Sequence, residues 1–356
     1  MARHPTWPGK SATAALALTA VLGACEIDSF TNFISPLNAF KQTNLVADAV
    51  GAGARTVDPN LVNPWGIAFG STRNLWVANN MTGTSTVYDS LGNKLPIVVD
   101  VPGSGTPAGA PTGIVFNSTT DFVIPGHGAA LFIFAGEDGT IAAWNTSTPN
   151  AMLVADRSSS GAVYKGLAIA SHNGANFLYL TDFRNNRVDV FDRTFAFVKA
   201  FTDSTIPVGY GPFGIANVAG QLFVTFAKQR GPDNRVDTAR VGNGFVDVFN
   251  ADGSLSRRFA SNGRLNSPWA VVVAPTGFGG FGGAILIGNF GDGLIGAYNA
   301  SSGAFIDNLR DLTSTPIRID GLWGLAFGPS AGSRTLYFAA GPAGEIHGLV
   351  GTLTRP

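Results

Sequence analysis

The heptapeptide PWGIAFG (64–70) recurs as PTGIVFN (111–117), YKGLAIA (164–170), PFGIANV (212–218), PWAVVVA (268–274) and LWGLAFG (322–328). Anchored on Gly66, Gly113, Gly166, Gly214, Ala270 and Gly324, the copies lie 47, 53, 48, 56 and 54 residues apart. That is a repeat with insertions. A second strand-like run follows each copy: LWVAN (75–79), LFIFA (131–135), LYLTD (178–182), LFVTF (222–226), ILIGN (285–289) and LYFAA (336–340). A third follows as STVYDS (85–90), TIAAWN (140–145), RVDVFD (187–192), FVDVFN (245–250), LIGAYN (294–299) and EIHGLV (345–350). Five copies add a fourth: PIVVDV (96–101), AMLVAD (151–156), FVKAFT (197–202), LSRRFA (255–260) and AFIDNL (304–309).

Four strands in about 50 residues is the period of a propeller blade. The sixth unit ends after its third strand, while NLVADAV (44–50) precedes the first unit and matches the fourth strands. The expected fold is therefore all-β, a six-bladed β-propeller with four antiparallel strands per blade. An N-terminal strand pairs with the last blade and closes the ring, which protects an otherwise open sheet edge. The domain is placed at 44–356. Glycine suits the innermost strands because a residue without Cβ permits close backbone approach at the axis.

Composition agrees with many short strands and tight turns: 46 glycines and 20 prolines in 356 residues, 45% hydrophobic and only 13% charged. The 23 basic residues balance the 23 acidic ones, and no basic run exceeds Arg257–Arg258. Nucleic acid is excluded as a partner on this reading, since phosphate backbones require a concentrated basic footprint. A monomer is expected.

The first 25 residues read separately. Arg3 and Lys10 precede an apolar segment, 11–22, too short to span a bilayer, which leads into Leu22-Gly23-Ala24-Cys25. This is the pattern of a signal peptide with a lipobox-like end (1–25), and residues 26–43 are read as a tether. Acylation of Cys25 would be the only membrane attachment and would place the protein outside the cytoplasm, anchored in the cell envelope. Cys25 is also the only cysteine, so no internal disulfide is available.

Antiparallel order brings the loops before the first strands and between the second and third strands onto one face, here called the top. At the first-strand starts lie Asn63, Trp65, Lys165, Trp269 and Trp323. Trp65, Trp269 and Trp323 fall on neighbouring blades and suggest an aromatic crescent able to stack a sugar, a ring or a cation. The second-to-third-strand loops add Asn79 with Asn80, Glu137 with Asp138, Asp182 with Asn185, and Asn289. Turn chemistry accounts for such residues equally well. The ligand-contacting set expected at the top is Asn63, Trp65, Asn79, Asp138, Lys165, Asp182, Trp269, Asn289 and Trp323.

The insertion 227–244 in blade four reads as a solvated, lid-like loop. Its Asp233, Asn234 and Asp237 offer oxygens to a divalent cation such as Ca²⁺, although their spacing matches no EF-hand. His127 and His172 fall between first and second strands, on the opposite face, and His347 within a third strand, away from the top-face acids. The H-E-x-x-H, G-x-S-x-G and P-loop patterns are absent.

TDFRNNRVDVFD (181–192) resembles the NHL-type repeat, in which an acid, an asparagine-rich turn and Arg-Val precede a strand ending in Phe-Asp. With NPWGIAFG (63–70), EDGTIAAWN (137–145), GNGFVDVFN (242–250), GNFGDGLIGAYN (288–299) and AGPAGEIHGL (340–349), the chain resembles uncharacterised secreted bacterial six-bladed propellers over residues 44–353. That resemblance implies a fold and an extracytoplasmic address and brings no activity. Two functional readings follow: a non-catalytic module binding a small-molecule or protein ligand at the top, or a metal-dependent hydrolase or lyase of the lactonase type. Six-bladed lactonases place an acid and asparagines by the channel; Trp, Thr, Lys and Phe occupy most of those first-strand positions here, which favours binding.

Overall fold

Innermost in each blade is one of the six recurring heptapeptides, and the rest of the sheet is laid outward from it in chain order. The structure, a computed structural model, describes residues 38–330 and 332–356; Cys25 and the signal segment lie outside the described residues. Blade one consists of Pro64–Phe69, Leu75–Asn79, Thr84–Tyr88 and Lys94–Asp100, and blades two to five repeat that order from Pro111, Tyr164, Tyr210 and Pro268. Blade six takes Leu322–Phe327, Leu336–Ala340 and Leu349–Thr354 from the C-terminal end and its fourth strand, Lys41–Ala47, from the N-terminal end. The closing pair is antiparallel, with Lys41 opposite Thr354 and Ala47 opposite Leu349. Thr56–Val57 adds a short parallel strand outside it.

Two boundaries differ from the sequence reading. The third strand of blade six is Leu349–Thr354 rather than 345–350, so Glu345 and His347 belong to the preceding top-face loop. His347 meets Asp48 there, Nδ1 to Oδ2 at 2.8 Å. The closing strand begins at Lys41, and the chain is already docked before it: Phe40 is fully buried, with its ring 4.5 Å from that of Phe278. Residues 38–43, read as tether, thus pack as part of the propeller.

Burial explains the apolar patterns. The second and third strands of blade one, like those of blade two, are buried at every residue, which is why they read as continuous apolar runs rather than alternations. The outermost strand Lys94–Asp100 alternates exposed and half-buried positions. Between neighbouring blades lie six separate cores. Leu286, Leu322 and Phe338 belong to the one between blades five and six. Leu45, Tyr88 and Val350 belong to the one between six and one, so the closing strand contributes to the seam it seals. Each buried Leu, Val or Phe contributes about 1.5–3 kcal/mol of transfer free energy.

At the axis the first strands nearly touch. A Cβ on Gly113 would lie 2.5 Å from the Leu167 amide nitrogen, and one on Gly324 would lie 2.5 Å from the Trp65 carbonyl oxygen. Blade five, with Ala270 in this place, makes room differently: Ala270 pairs in register with Gly288 of its own second strand.

TDFRNNRVDVFD forms the hairpin between the second and third strands of blade three. Asn186 takes the left-handed turn position at φ 53°, while the Asn185 amide donates to Asp182 Oδ2 at 2.7 Å. Arg187 lies between two buried carboxylates, 3.4 Å from Asp182 and 2.8 Å from Asp189. These charges hold the hairpin together.

Candidate functional site

A basin of about 590 Å³ opens on the top face over the axis. Its floor is an aromatic stack: Phe290 lies on Trp323 at 4.0 Å between centroids, Trp323 on Trp65 at 3.5 Å, and the Lys165 ammonium caps Trp65 at 5.0 Å. Trp269 meets both Trp65 and Trp323 edge-on, at 6.2 and 5.8 Å, and donates its indole N–H to the Lys165 carbonyl at 2.9 Å. Trp65 and Trp323 are each only 2% exposed. The expected crescent is therefore a plug whose ring faces pack on one another, because wedge-shaped blades leave a gap at the axis that large flat side chains fill.

Above the plug runs a chain of polar groups crossing four blades. Trp323 donates to Asn63 Oδ1 at 3.1 Å, which fixes that amide's orientation. The Asn63 NH₂ then donates to Glu345 Oε1 at 3.2 Å and to Asn80 Oδ1 at 3.3 Å. Asn80 donates in turn to Glu137 Oε2 at 3.1 Å, and the other oxygen of Glu137 accepts the ammonium of the buried Lys165. Blade four adds Asp237 from the 227–244 insertion. From the same insertion Arg235 reaches the Glu137 backbone carbonyl at 3.3 Å.

The carboxyls differ in character. Burial disfavours ionised Glu137, but the Lys165 ammonium and the Asn80 amide outweigh it and hold the group below its ordinary range. Burial pushes Glu345 up against the opposing Asn63 hydrogen bond, and the charge of Glu137 adds to the rise. Burial likewise raises Asp237, against the opposing Ser267 hydroxyl. The Trp65 indole N–H is also buried and unpartnered. Two lining residues hold left-handed backbone, Asn63 at φ 49° and Glu345 at φ 71°. Asparagine tolerates this conformation; a glutamate in it costs on the order of 1 kcal/mol, the kind of strain that concentrates at functional sites.

Of the nine residues expected at the top, the basin gathers Asn63, Trp65, Lys165 and Trp323, with Trp269 in the plug beneath them. The other four lie in the walls and make hydrogen bonds within their own hairpins or to adjoining loops, with Asn79 Oδ1 alone left unpaired. Asn79 donates to Thr84 and Thr86 at 3.2 and 3.0 Å. Asp138 accepts from the Ser104 N–H and the Thr140 hydroxyl, both at 2.6 Å. Asp182 accepts from the Val163 N–H at 3.0 Å, and Asn289 donates to the Arg264 carbonyl at 2.8 Å. The last residue of a second strand points into the hairpin, and the next one along, Asn80 or Glu137, points to the axis. Glu345 was missed because the repeat register placed it in a strand. Among the described residues no group of three or more His, Cys, Asp or Glu side chains is placed to hold a metal ion.

The fold matches known propellers. A streptogramin B lyase structure superposes with a TM-score of 0.53 at 14% identity, covering 89% of this chain and 97% of the other. Virginiamycin B lyase from Staphylococcus aureus gives 0.51 at 18% identity, with 81% and 79% covered. These likenesses are of fold. No protein-family model matches the chain. In sequence the chain is 36% identical to "Uncharacterized protein R648" of Acanthamoeba polyphaga mimivirus, over 94% of this chain and 86% of that protein. It is 34% identical to "Uncharacterized protein L690" of the same virus, over 93% and 91%. These relatives are viral, whereas the sequence resemblance pointed to secreted bacterial propellers. At 36% and 34% identity over nearly the full length, the chain belongs to the family of these uncharacterized mimivirus proteins.

Proposed function

We propose that the protein is a ligand-binding propeller, held outside the cytoplasm through Cys25, whose top-face basin takes a small molecule. The observation that carries this reading is the directed chain from Trp323 through Asn63, Asn80 and Glu137 to Lys165. Blade packing alone does not require four linked polar side chains over an aromatic plug, and ordering them in advance lowers the entropy cost of binding. A basin of this size suits a small molecule. The lyase likeness is confined to fold, and Glu137 and Glu345 are tied to an ammonium or an amide, with no three acids among the described residues placed to hold a metal ion. Binding is therefore preferred to hydrolysis or lysis.

The test is thermal denaturation of the purified protein against a broad metabolite panel. A ligand at 100 times its Kd stabilises by about 2.7 kcal/mol, and Glu137→Gln should abolish that stabilisation. Identical responses of wild type and Glu137→Gln to every compound would remove the basin from consideration.

A further inference from the structure

We infer that the basin takes an organic cation, a primary ammonium or guanidinium, carried on an apolar body. This rests on the basin being a ligand site and adds which chemistry it selects. Three carboxylates line it, and their partners are unequal. Glu137 is neutralised by Lys165. Among the ion pairs formed by the described residues, neither Glu345 nor Asp237 takes part. Glu345 accepts the Asn63 amide, and Asp237, whose neighbour is the Ser267 hydroxyl, has no cationic partner.

The cations nearby do not fill that need. Lys165 is committed to Glu137, Arg230 lines the basin from an exposed position without pairing, and Arg235 is spent on a backbone carbonyl. A buried carboxylate without a cation is costly, and a ligand ammonium or guanidinium supplies charge-assisted hydrogen bonds to it. An anion would have to break the Lys165–Glu137 pair. A second, independent sign of an absent partner is Trp65, 2% exposed, which lines the basin while its indole N–H is left unbonded.

The mouth selects the rest of the molecule. Met81, Val236 and Ile346 arrive from three different loops and are 61%, 38% and 64% exposed. Apolar lips above the half-buried Glu345 and Asp237 favour a ligand with its charge inward and its hydrocarbon outward. Burial raises both carboxyls, so affinity for a cation should grow as pH rises above the ordinary carboxylate range.

The probes are four near-isosteres, 2-phenylethylamine, 2-phenylethylguanidine, 2-phenylethanol and 3-phenylpropionate, titrated calorimetrically into the full chain at pH 8. The two cations should bind at least about tenfold more tightly than the alcohol, a difference of about 1.4 kcal/mol, and the carboxylate should bind weakest. Glu345→Gln and Asp237→Asn should each weaken the amine about tenfold and leave the alcohol unchanged. Should either variant fail to fold, the wild-type series of four probes still decides. Equal affinity for alcohol and amine, preference for the carboxylate, or no binding of either cation overturns the assignment. If the alcohol or carboxylate wins and Glu137→Gln removes its binding, the basin stands as a ligand site and only the cation falls. If the cations fail and the metabolite panel fails as well, both readings fall.

Discussion

Trp323 of the last blade donates its indole N–H to Asn63 of the first at 3.1 Å, across the seam where the ring closes. Asn63→Ala leaves that buried donor unpaired and replaces an asparagine, which tolerates φ 49°, with an alanine, which does not. The first effect costs about 1–3 kcal/mol and the second about 1–2 kcal/mol. Asn63→Gly suffers only the first. In urea unfolding the alanine variant should therefore be less stable than the glycine variant; equal midpoints would mean the backbone conformation there carries no strain.

Crowding at the axis gives a second prediction. A methyl group on Gly214 would collide with the Trp269 carbonyl oxygen of the next blade, so Gly214→Ala should destabilise by roughly 3 kcal/mol or more, at the upper end of overpacking costs. The reverse change in blade five, Ala270→Gly, should cost only about 0.5–1 kcal/mol. Denaturant midpoints of the two variants provide the comparison.

Arg258 bridges Asp203, at 2.6 Å, and Asp247. Burial, opposed by the Arg258 guanidinium and reinforced by the neighbouring Asp203, pushes Asp247 up to about 7. Burial opposes ionised Asp203 too, but the Thr205 N–H and hydroxyl and Arg258 bring it down to about 2. A raised carboxyl stabilises the fold fully below its ordinary value near 4 and loses that contribution as pH rises through 7. Asp203 does the opposite, losing its contribution as pH falls from about 4 towards 2. Stability from this pair should peak between those limits. Asp247→Asn should flatten the decline between pH 5 and pH 8 measured by urea unfolding; an unchanged slope would clear Asp247 of the effect.

The 227–244 insertion touches blade two through Arg235. Being an exposed contact to one carbonyl, it should be worth under about 1 kcal/mol globally. Arg235→Ala should leave the unfolding midpoint nearly unchanged while speeding amide hydrogen exchange within 227–244. Unaltered exchange would show that the loop is held elsewhere.

Cys25 makes its own prediction. Cys25→Ala should move the protein from the membrane fraction to the soluble extracytoplasmic fraction, and persistence in the membrane fraction would rule out acylation at this residue.

Much of the architecture can be read from the chain because blade strands are buried on both faces and innermost glycines recur for a steric reason. PWGIAFG and its copies carry that signal, and even the missing fourth strand is legible from NLVADAV. Blade six was misregistered because EIHGLV has the composition of a third strand, while pairing with Lys41–Ala47 selects Leu349–Thr354 instead. The site was half legible. Asn63, Lys165 and the tryptophans follow from their place at the first-strand starts. Asn79, Asp182 and Asn289 illustrate the limit: alternation along a strand sends adjacent residues to opposite sides, so a one-residue difference separates a hairpin contact from a basin contact. Asp237 and Glu345 enter from loops whose path no periodicity encodes.

Pairing of Lys41–Ala47 with Leu349–Thr354 also sets a clock. The closing strand leaves the ribosome first and its partner about 300 residues later, a delay on the order of 15–60 s at ordinary elongation rates. During that interval blades one to five acquire their sequence while the ring stays open, with one face of the first blade and one hydrogen-bonding strand unclaimed. Premature pairing, or capture by another nascent chain, is the hazard that follows. The basin, whose Asn63–Trp323 bond spans the same seam, comes into being only once the strands of the last blade have been made.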